Sequence, residues 1–391
     1  MEQGSWIRRM FEEGIAMKQR YGAESVFDLS LGNPVMEPPA EFFRELRQLA
    51  ENPIPGMHGY MENAGYPETR AAVAAQLAHE TGLKLSYKDI IMTCGAAGAI
   101  NVALKTILNV GDEVILFIPW FVDYHNYVEN HDGVAKVIPT NEHFMPRLKA
   151  LEAGIGPRTK AVLINSPNNP TGVVYSESLL HQIGELLSKK EAQYGTEIFI
   201  VSDEPYRKII YDGLQYSSPL NHHRHSIIAT SHSKDLSVAG ERIGYLALHP
   251  DCEEHDELMK GFIFCNRTLG FINAPALMQH VVRRIQQVTV PVAEYQRKRD
   301  FLYGHLVNLG YSVVKPQGAF YMFPKCPVAD DIAFVRELQI EQRVLTVPGV
   351  AFGLPGHFRI SYCVDDRTLE GSLAGFQKVA KKFNLRRQPG A

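Results

Sequence analysis

Ser226-Ile227-Ile228-Ala229-Thr230-Ser231-His232-Ser233-Lys234, with Arg242-Ile243-Gly244-Tyr245 after it, is the stretch on which the reading of the fold turns. Its apolar run, Ile227-Ile228-Ala229, stops where a buried strand would end. A lysine sits just past that end, with small hydroxyl residues before it and an arginine eight positions on. A lysine that must form a Schiff base has to lose its proton, which partial burial and nearby positive charge both favour. Hydroxyls beside an arginine suit a phosphate monoester. The combination suggests pyridoxal 5'-phosphate, whose aldehyde bonds a lysine while its phosphate is held separately. Alone, S-x-S-K also describes an ordinary surface lysine after two serines.

Working outward, short apolar segments alternate with helical patterns. Strands are predicted at Ile90–Thr93, Glu113–Ile118, Ala135–Pro139, Ala161–Asn165, Ile198–Ser202, Ser226–Thr230 and Ile243–Leu248, with helices at Ala99–Leu108 and Ser178–Tyr194 among them. Such alternation predicts an α/β domain with a mostly parallel seven-stranded sheet. Ligands of these sheets sit at the carboxyl ends of the strands. Gly95, Pro119, Asn165 to Gly172, Asp203 and Ser231 to Lys234 all fall there. After about residue 280 the pattern changes: a helix at Val288–Leu309, strand-like pieces at Tyr311–Val314, Ala319–Phe323, Val344–Val347 and Phe358–Cys363, a helix at Leu369–Phe383 and a basic tail. The expected division is a large domain of residues 46–285 and a smaller α+β domain built from both chain ends, 1–45 and 286–391.

The chain has 391 residues, 45% hydrophobic and 21% charged, as in ordinary globular proteins. A formal net charge of -3 leaves no basic surplus for nucleic acid or an acidic membrane. No apolar run nears the roughly 20 residues that span a bilayer. Met1–Arg20 lacks the apolar core of a signal peptide, and Trp6, Met10, Phe11, Ile15 and Met17 mark an amphipathic helix packed on the body or on a partner. The five cysteines, scattered and without C-x-x-C pairs, read as free thiols of a reducing compartment, so the expected location is cytoplasmic. His222-His223-Arg224-His225 reads as an exposed loop with no carboxylate at metal spacing, so no metal is expected.

Several positions carry chemistry, each with a plainer reading beside it. Asp203 ends the run Ile198-Phe199-Ile200-Val201-Ser202; it suits either an N-cap or a carboxylate paired with a protonated pyridine nitrogen. Asn168-Asn169-Pro170-Thr171-Gly172 makes a tight turn, and Asn169 can also bond a phenolic oxygen, as can Tyr206. Gly95-Ala96-Ala97-Gly98, between a strand and a helix, suits either packing or an anion at a helix N-terminus. Arg359, inside the apolar stretch Phe358-Arg359-Ile360-Ser361-Tyr362, needs a partner if buried. An internal salt bridge and a substrate carboxylate both answer.

N-P-T-G, then D-x-x-Y, then S-x-S-K with its arginine, then R-I-S near the C-terminus, occur in an order that resembles the aspartate-aminotransferase-like class I/II aminotransferases of pyridoxal-phosphate fold type I. The match covers nearly the whole chain. It implies that Lys234 is the Schiff-base lysine that moves a proton between substrate Cα and cofactor C4′. It implies that Asp203 partners the ring nitrogen and that Asn169 and Tyr206 contact the phenolate. Ser231, Ser233, Arg242, Ala96 and Ala97 become the phosphate cup, and Phe121 the stacking ring. Arg359 becomes the α-carboxylate clamp, assisted by Gly32. Tyr60 resembles a tyrosine that reaches the neighbouring subunit's phosphate, which implies a homodimer with a shared active site; Arg267 matches a crossing residue more loosely. The chain departs from the pattern at Phe121, where tyrosine or tryptophan is common, at Thr69 and at Pro205. Ala97 stands where an aspartate-specific subgroup carries a lysine for the distal carboxylate.

The resemblance therefore implies ping-pong transfer of an amino group from an L-amino acid, of aspartate/glutamate or aromatic type, to a 2-oxo acid. A carbon–sulfur β-lyase of the same fold is the nearest alternative. A non-catalytic binding module of this fold would usually carry an attached DNA-binding segment. A nicotinamide dehydrogenase would need G-x-G-x-x-G, which Gly95-Ala96-Ala97-Gly98 does not supply.

Overall fold

The computed structural model describes residues 6–385. Its strands are β1 (Phe27–Asp28), β2 (Ile90–Thr93), β3 (Glu113–Ile118), β4 (Val134–Pro139), β5 (Thr159–Asn165), β6 (Phe199–Asp203), β7 (Ser226–Ser231), β8 (Gly244–Leu248), β9 (Tyr321–Met322), β10 (Val344–Leu345), β11 (Val347–Pro348) and β12 (Phe358–Ser361). Seven of them form one sheet in the order β2-β8-β7-β6-β5-β3-β4. Only β8 runs against its neighbours. Strands β2, β6, β7 and β8 are buried at every position. Sequence runs such as Ile227-Ile228-Ala229 are continuous rather than alternating because helices cover both faces of the sheet. Each fully buried aliphatic side chain contributes about 1.5–3 kcal/mol. The edge strand β4 is mostly exposed or half-buried.

The helices follow the same logic. Helix Glu177–Tyr194 starts at Ser176, whose hydroxyl accepts from Leu179 N, and ends at Gly195, which takes the left-handed conformation. Its Leu180, Ile183, Gly184 and Leu187 fall one helical turn apart and are buried. Helix Gly95–Ile107 begins at the glycine itself, so Gly95-Ala96-Ala97-Gly98 is its first turn rather than a loop ahead of the helix predicted at Ala99–Leu108.

Both chain ends meet in smaller sheets: β1 pairs in parallel with β10, and β11, β12 and β9 form an antiparallel sheet. Here the sequence reading needs correction. Tyr311–Val314 is not a strand; Tyr311 N bonds Leu306 O at the end of the preceding helix. The expected strand Ala319–Phe323 shrinks to two residues, and Val344–Val347 splits at buried Thr346 into β10 and β11, which pair with different partners. The helix expected from Val288 starts at Val292, after Pro291, because Val290 N is drawn to Asp235 O at 2.7 Å. The last helix is Asp366–Lys382, capped by Asp365. At the other end, helix Trp6–Tyr21 buries Met10, leaving Phe11 and Ile15 exposed. The basic tail from Arg386 lies outside the described residues.

His222–His225 is also corrected. His223 and His225 are buried, and Glu191 lies against both. Among the described residues, no helix is long and apolar enough to cross a membrane.

Strand β8 can lie close to the start of helix Gly95–Ile107 only because residue 244 has no side chain. A Cβ there would fall 2.2 Å from Thr230 O and 2.9 Å from Gly95 Cα, both rigid backbone atoms. Gly244→Ala is therefore expected to cost roughly 1–3 kcal/mol in denaturant unfolding; an unchanged midpoint would contradict this packing.

Candidate active site

The carboxyl ends of β5, β6 and β7, the first turn of helix Gly95–Ile107 and strand β12 converge on a cavity of about 250 Å³. It is lined by Gly32, Ala96, Ala97, Phe121, Asn169, Asp203, Tyr206, Ser231, Ser233, Lys234, Arg242 and Arg359, all of which the sequence nominated. Tyr60 is not among them: it is 95% exposed on the surface. Arg267 is likewise outside the cavity, its guanidinium over the ring of Phe264. Arg70, the last member of the Tyr60…Gly65…Arg70 pattern, is buried and bonded through Nε to Tyr87 O and Ile90 O.

Asp203 closes β6. Its Oδ2 accepts a 2.5 Å hydrogen bond from Tyr124 Oη, while Oδ1 is buried with no partner. Burial pushes this carboxyl up to about 7; the Tyr124 bond and the Lys234 charge oppose that rise. No lysine, arginine or histidine of the described residues forms an ion pair with it. The end of β5 steadies this region: Asn165 Nδ2 bonds Asp203 O at 2.9 Å, and Asn165 Oδ1 accepts from Asn169 N at 2.7 Å.

Lys234 follows β7 by three residues and is partly buried, its Nζ donating to Gly32 O at 2.7 Å. Burial brings its pKa down to about 8, Arg359 and Arg242 acting in the same direction against Cys363 and Asp203. A neutral amine is thus accessible near neutral pH. Tyr206 Oη lies 3.0 Å from Tyr321 Oη, and burial raises the pKa of Tyr206 so that it stays a neutral hydroxyl.

Arg359 projects from β12 and is 1% exposed. Nη1 donates to Asn169 Oδ1 at 3.0 Å, Nη2 donates to Ser30 O, and Nε has no partner. The rings of Tyr321 and Phe352 flank the guanidinium at 4.7 and 4.9 Å. The internal salt bridge allowed by the sequence is absent among the described residues: Arg359 has no carboxylate partner. Arg242, in the left-handed conformation at φ 53°, bonds Ala239 O and places Nη2 3.4 Å from Cys94 O at the helix start. A side chain at Gly95 would collide with that guanidinium.

Tyr124, which no motif in the sequence marks, reaches the site from the start of the helix Tyr124–Glu129. Its bond to Asp203 spans 79 positions, and only the adjacency of strands could reveal it. Tyr127, Tyr321 and Pro205 also line the cavity.

This is an α/β sheet with its site at the strand ends, a lysine of lowered pKa and two buried charges lacking counter-ions, which is the architecture of fold type I. Residues 24–375 match the model of the family described as aminotransferase class I and II, and the chain belongs to that family. It is an aminotransferase. It is 31% identical to a probable aspartate aminotransferase of Methanocaldococcus jannaschii, over 90% of this chain and 92% of that one. It is 32% identical to aromatic-amino-acid aminotransferase 2 of Thermococcus litoralis, over 97% of both. The crystal structure of an amino transferase from Eubacterium rectale superposes with a TM-score of 0.94 at 37% identity, covering 97% of this chain and 96% of that one.

The Tyr124 bond stabilises the ionised form of Asp203, so its loss should raise the carboxyl pKa further above about 7. We expect Tyr124→Phe to shift the Asp203 carboxyl band in an infrared pH titration upward; an unshifted midpoint would show that the bond does not hold the charge.

Proposed function

We propose that this aminotransferase uses pyridoxal 5'-phosphate and passes an amino group from an L-amino acid to a 2-oxo acid in two half-reactions at the Lys234 cavity. The observation that carries this reading is the pair of buried, uncompensated charges across that cavity. A buried charge without a counter-ion is costly, and a bound group with a cationic ring nitrogen and a carboxylate-bearing substrate would answer Asp203 and Arg359 in turn. The orphaned Oδ1 of Asp203 and the small Ala96 and Ala97 lining the cavity at the start of helix Gly95–Ile107 fit such a group.

When bound, the cofactor supplies an aldehyde that takes up amines and a ring that accepts electrons from the carbon bearing them. Asp203 would keep the ring nitrogen protonated, Asn169 and Tyr206 would hold the phenolic oxygen, and Phe121 would lie against the ring. Ser231, Ser233, Arg242 and the free amides of Ala96 and Ala97 hold the phosphate, the amides with the help of the helix dipole. Arg359 takes the substrate α-carboxylate bidentately, with Gly32 leaving room beside it. Lys234, as a neutral amine, moves the proton between Cα and C4′.

Among the described residues of this chain three cations line the cavity, and all three are used by this assignment: Lys234 for proton transfer, Arg242 for phosphate, Arg359 for the α-carboxylate. Beyond these the lining adds Phe121, Tyr127 and Tyr321 and no other cation, which favours an aromatic donor over aspartate or glutamate. The related proteins bear both kinds of name at nearly equal identity and do not choose between them. We also infer a homodimer, supported by exposed Tyr60 and Phe264 and by Asn63, three residues after Tyr60, bonding Ile272 O beside that surface. A division into residues 46–285 and 1–45 with 286–391 is supported by the β1–β10 pairing of both chain ends. Five free cysteines suit the cytoplasm.

The test is amino-group exchange with single donors. Aromatic amino acids are expected to outpace aspartate, Lys234→Ala to lower kcat by at least about 10²–10⁴-fold, and Arg359→Gln to cost about 2–5 kcal/mol in kcat/KM. Uptake of the cofactor should quicken as pH rises through about 8, where Lys234 becomes neutral, and then level off. Full exchange activity in Lys234→Ala would overturn the assignment, and faster turnover of aspartate would overturn the aromatic preference.

A further inference from the structure

We propose that Glu191, His223 and His225 form a binding site for a divalent transition-metal ion of the zinc class, at the edge of the sheet opposite the active site. The chain brings them together through three turns of local structure. Helix Glu177–Tyr194 carries Glu191 in its last turn and stops at Gly195, so the chain folds back into β6. His223 and His225 lie just ahead of β7, and β6 and β7 pair in parallel, so their amino ends are neighbours. Asp203 and Ser231 mark the other ends of the same two strands, roughly 15 Å away at about 3.3 Å per residue.

Glu191 Oε1 lies 2.6 Å from His225 Nδ1 and 3.4 Å from His223 Nε2. One ligand atom from each of the three residues falls within 4.8 Å of the others. Tetrahedral ligands at about 2.0–2.1 Å from zinc stand roughly 3.3 Å apart, so the Glu191–His223 contact already fits and the Glu191–His225 contact must open by less than an ångström. Two histidines and one carboxylate are a common donor set for zinc, with a fourth position left to water.

His225 is buried and its Nδ1 meets only Glu191, so an ion taken up at Nδ1 would displace no partner outside the cluster. His223 Nε2 now lies 2.9 Å from Ile198 O, and its Nδ1 lies 3.4 Å from Ser188 Oγ. Moving the ring proton to Nδ1 would aim it at Ser188 and free Nε2 for a metal, the arrangement in which a ligating histidine donates its other nitrogen to a neighbour. The cluster borders an open cleft of about 650 Å³, also lined by His222, His249 and Glu253, which gives an ion a way in. Arg224 on that rim is paired with Glu253 at 3.1 Å, which reduces its repulsion of a cation.

The test is titration of the full-length, tag-free holoenzyme with Zn²⁺ and, separately, Co²⁺. One equivalent is expected to bind at micromolar or lower concentration, raising the unfolding temperature. Cobalt should give a visible ligand-field spectrum of nitrogen and oxygen ligation, without the charge-transfer band of a thiolate. His225→Ala and Glu191→Gln should each weaken binding at least 10–100-fold while leaving amino-group exchange intact. Should those variants fail to fold, the cobalt spectrum of the unaltered protein decides. Absence of binding, a thiolate band, or equal affinity in His225→Ala would overturn the site, leaving a hydrogen-bonded clasp between helix and sheet.

Discussion

A carboxylate buried at the end of β6 without a counter-ion is the constraint around which this protein is arranged. Burial pushes Asp203 up to about 7, and the fold spends one hydrogen bond, from Tyr124, on holding its charge. Arg359 repeats the situation with opposite sign on the facing strand β12. Two such charges on one cavity are hard to justify as scaffold, because a buried ion stripped of its partner typically costs several kcal/mol. They are intelligible as halves of interactions that a ligand completes. Lys234 interacts with both, its own charge weakened chiefly by burial.

The rest of the fold supports that arrangement at short range. Parallel strands buried on both faces deliver Asn165 and Asp203 to one edge in register, with Ser231 two residues past Ala229, the partner of Asp203. Close backbone approach at Gly244 seats the first turn of helix Gly95–Ile107 beside Arg242. The pairing of β1 with β10 brings the segment containing Ser30 and Gly32 against Arg359 and Lys234. Without it, the clamp and the lysine would lose their nearest backbone acceptors.

Much of this was legible in the sequence because the central strands are unbroken apolar runs, and buried parallel strands leave that signature. Their ends can be read from where the polar residues begin, which locates Asp203, Lys234 and Asn169 in the sequence. The small sheets were harder: β9, β10 and β11 are two residues each, too short for a periodic signal, and Thr346 interrupts what looked like one strand. Gly95 begins helix Gly95–Ile107 although glycine is a poor helix former, so the predicted start at Ala99 falls four residues late. Tyr124 acts on a residue 79 positions away, and Glu191 meets two histidines more than 30 positions on. Neither pair leaves a local pattern.

The most direct test of the central claim is to incubate the protein with pyridoxal 5'-phosphate, reduce it with borohydride and map the label by mass spectrometry. A single phosphopyridoxyl group on the peptide carrying Lys234, lost or sharply weakened in Asp203→Ala, is the expected result. Label spread over surface lysines, or uptake indifferent to Asp203, would contradict the account.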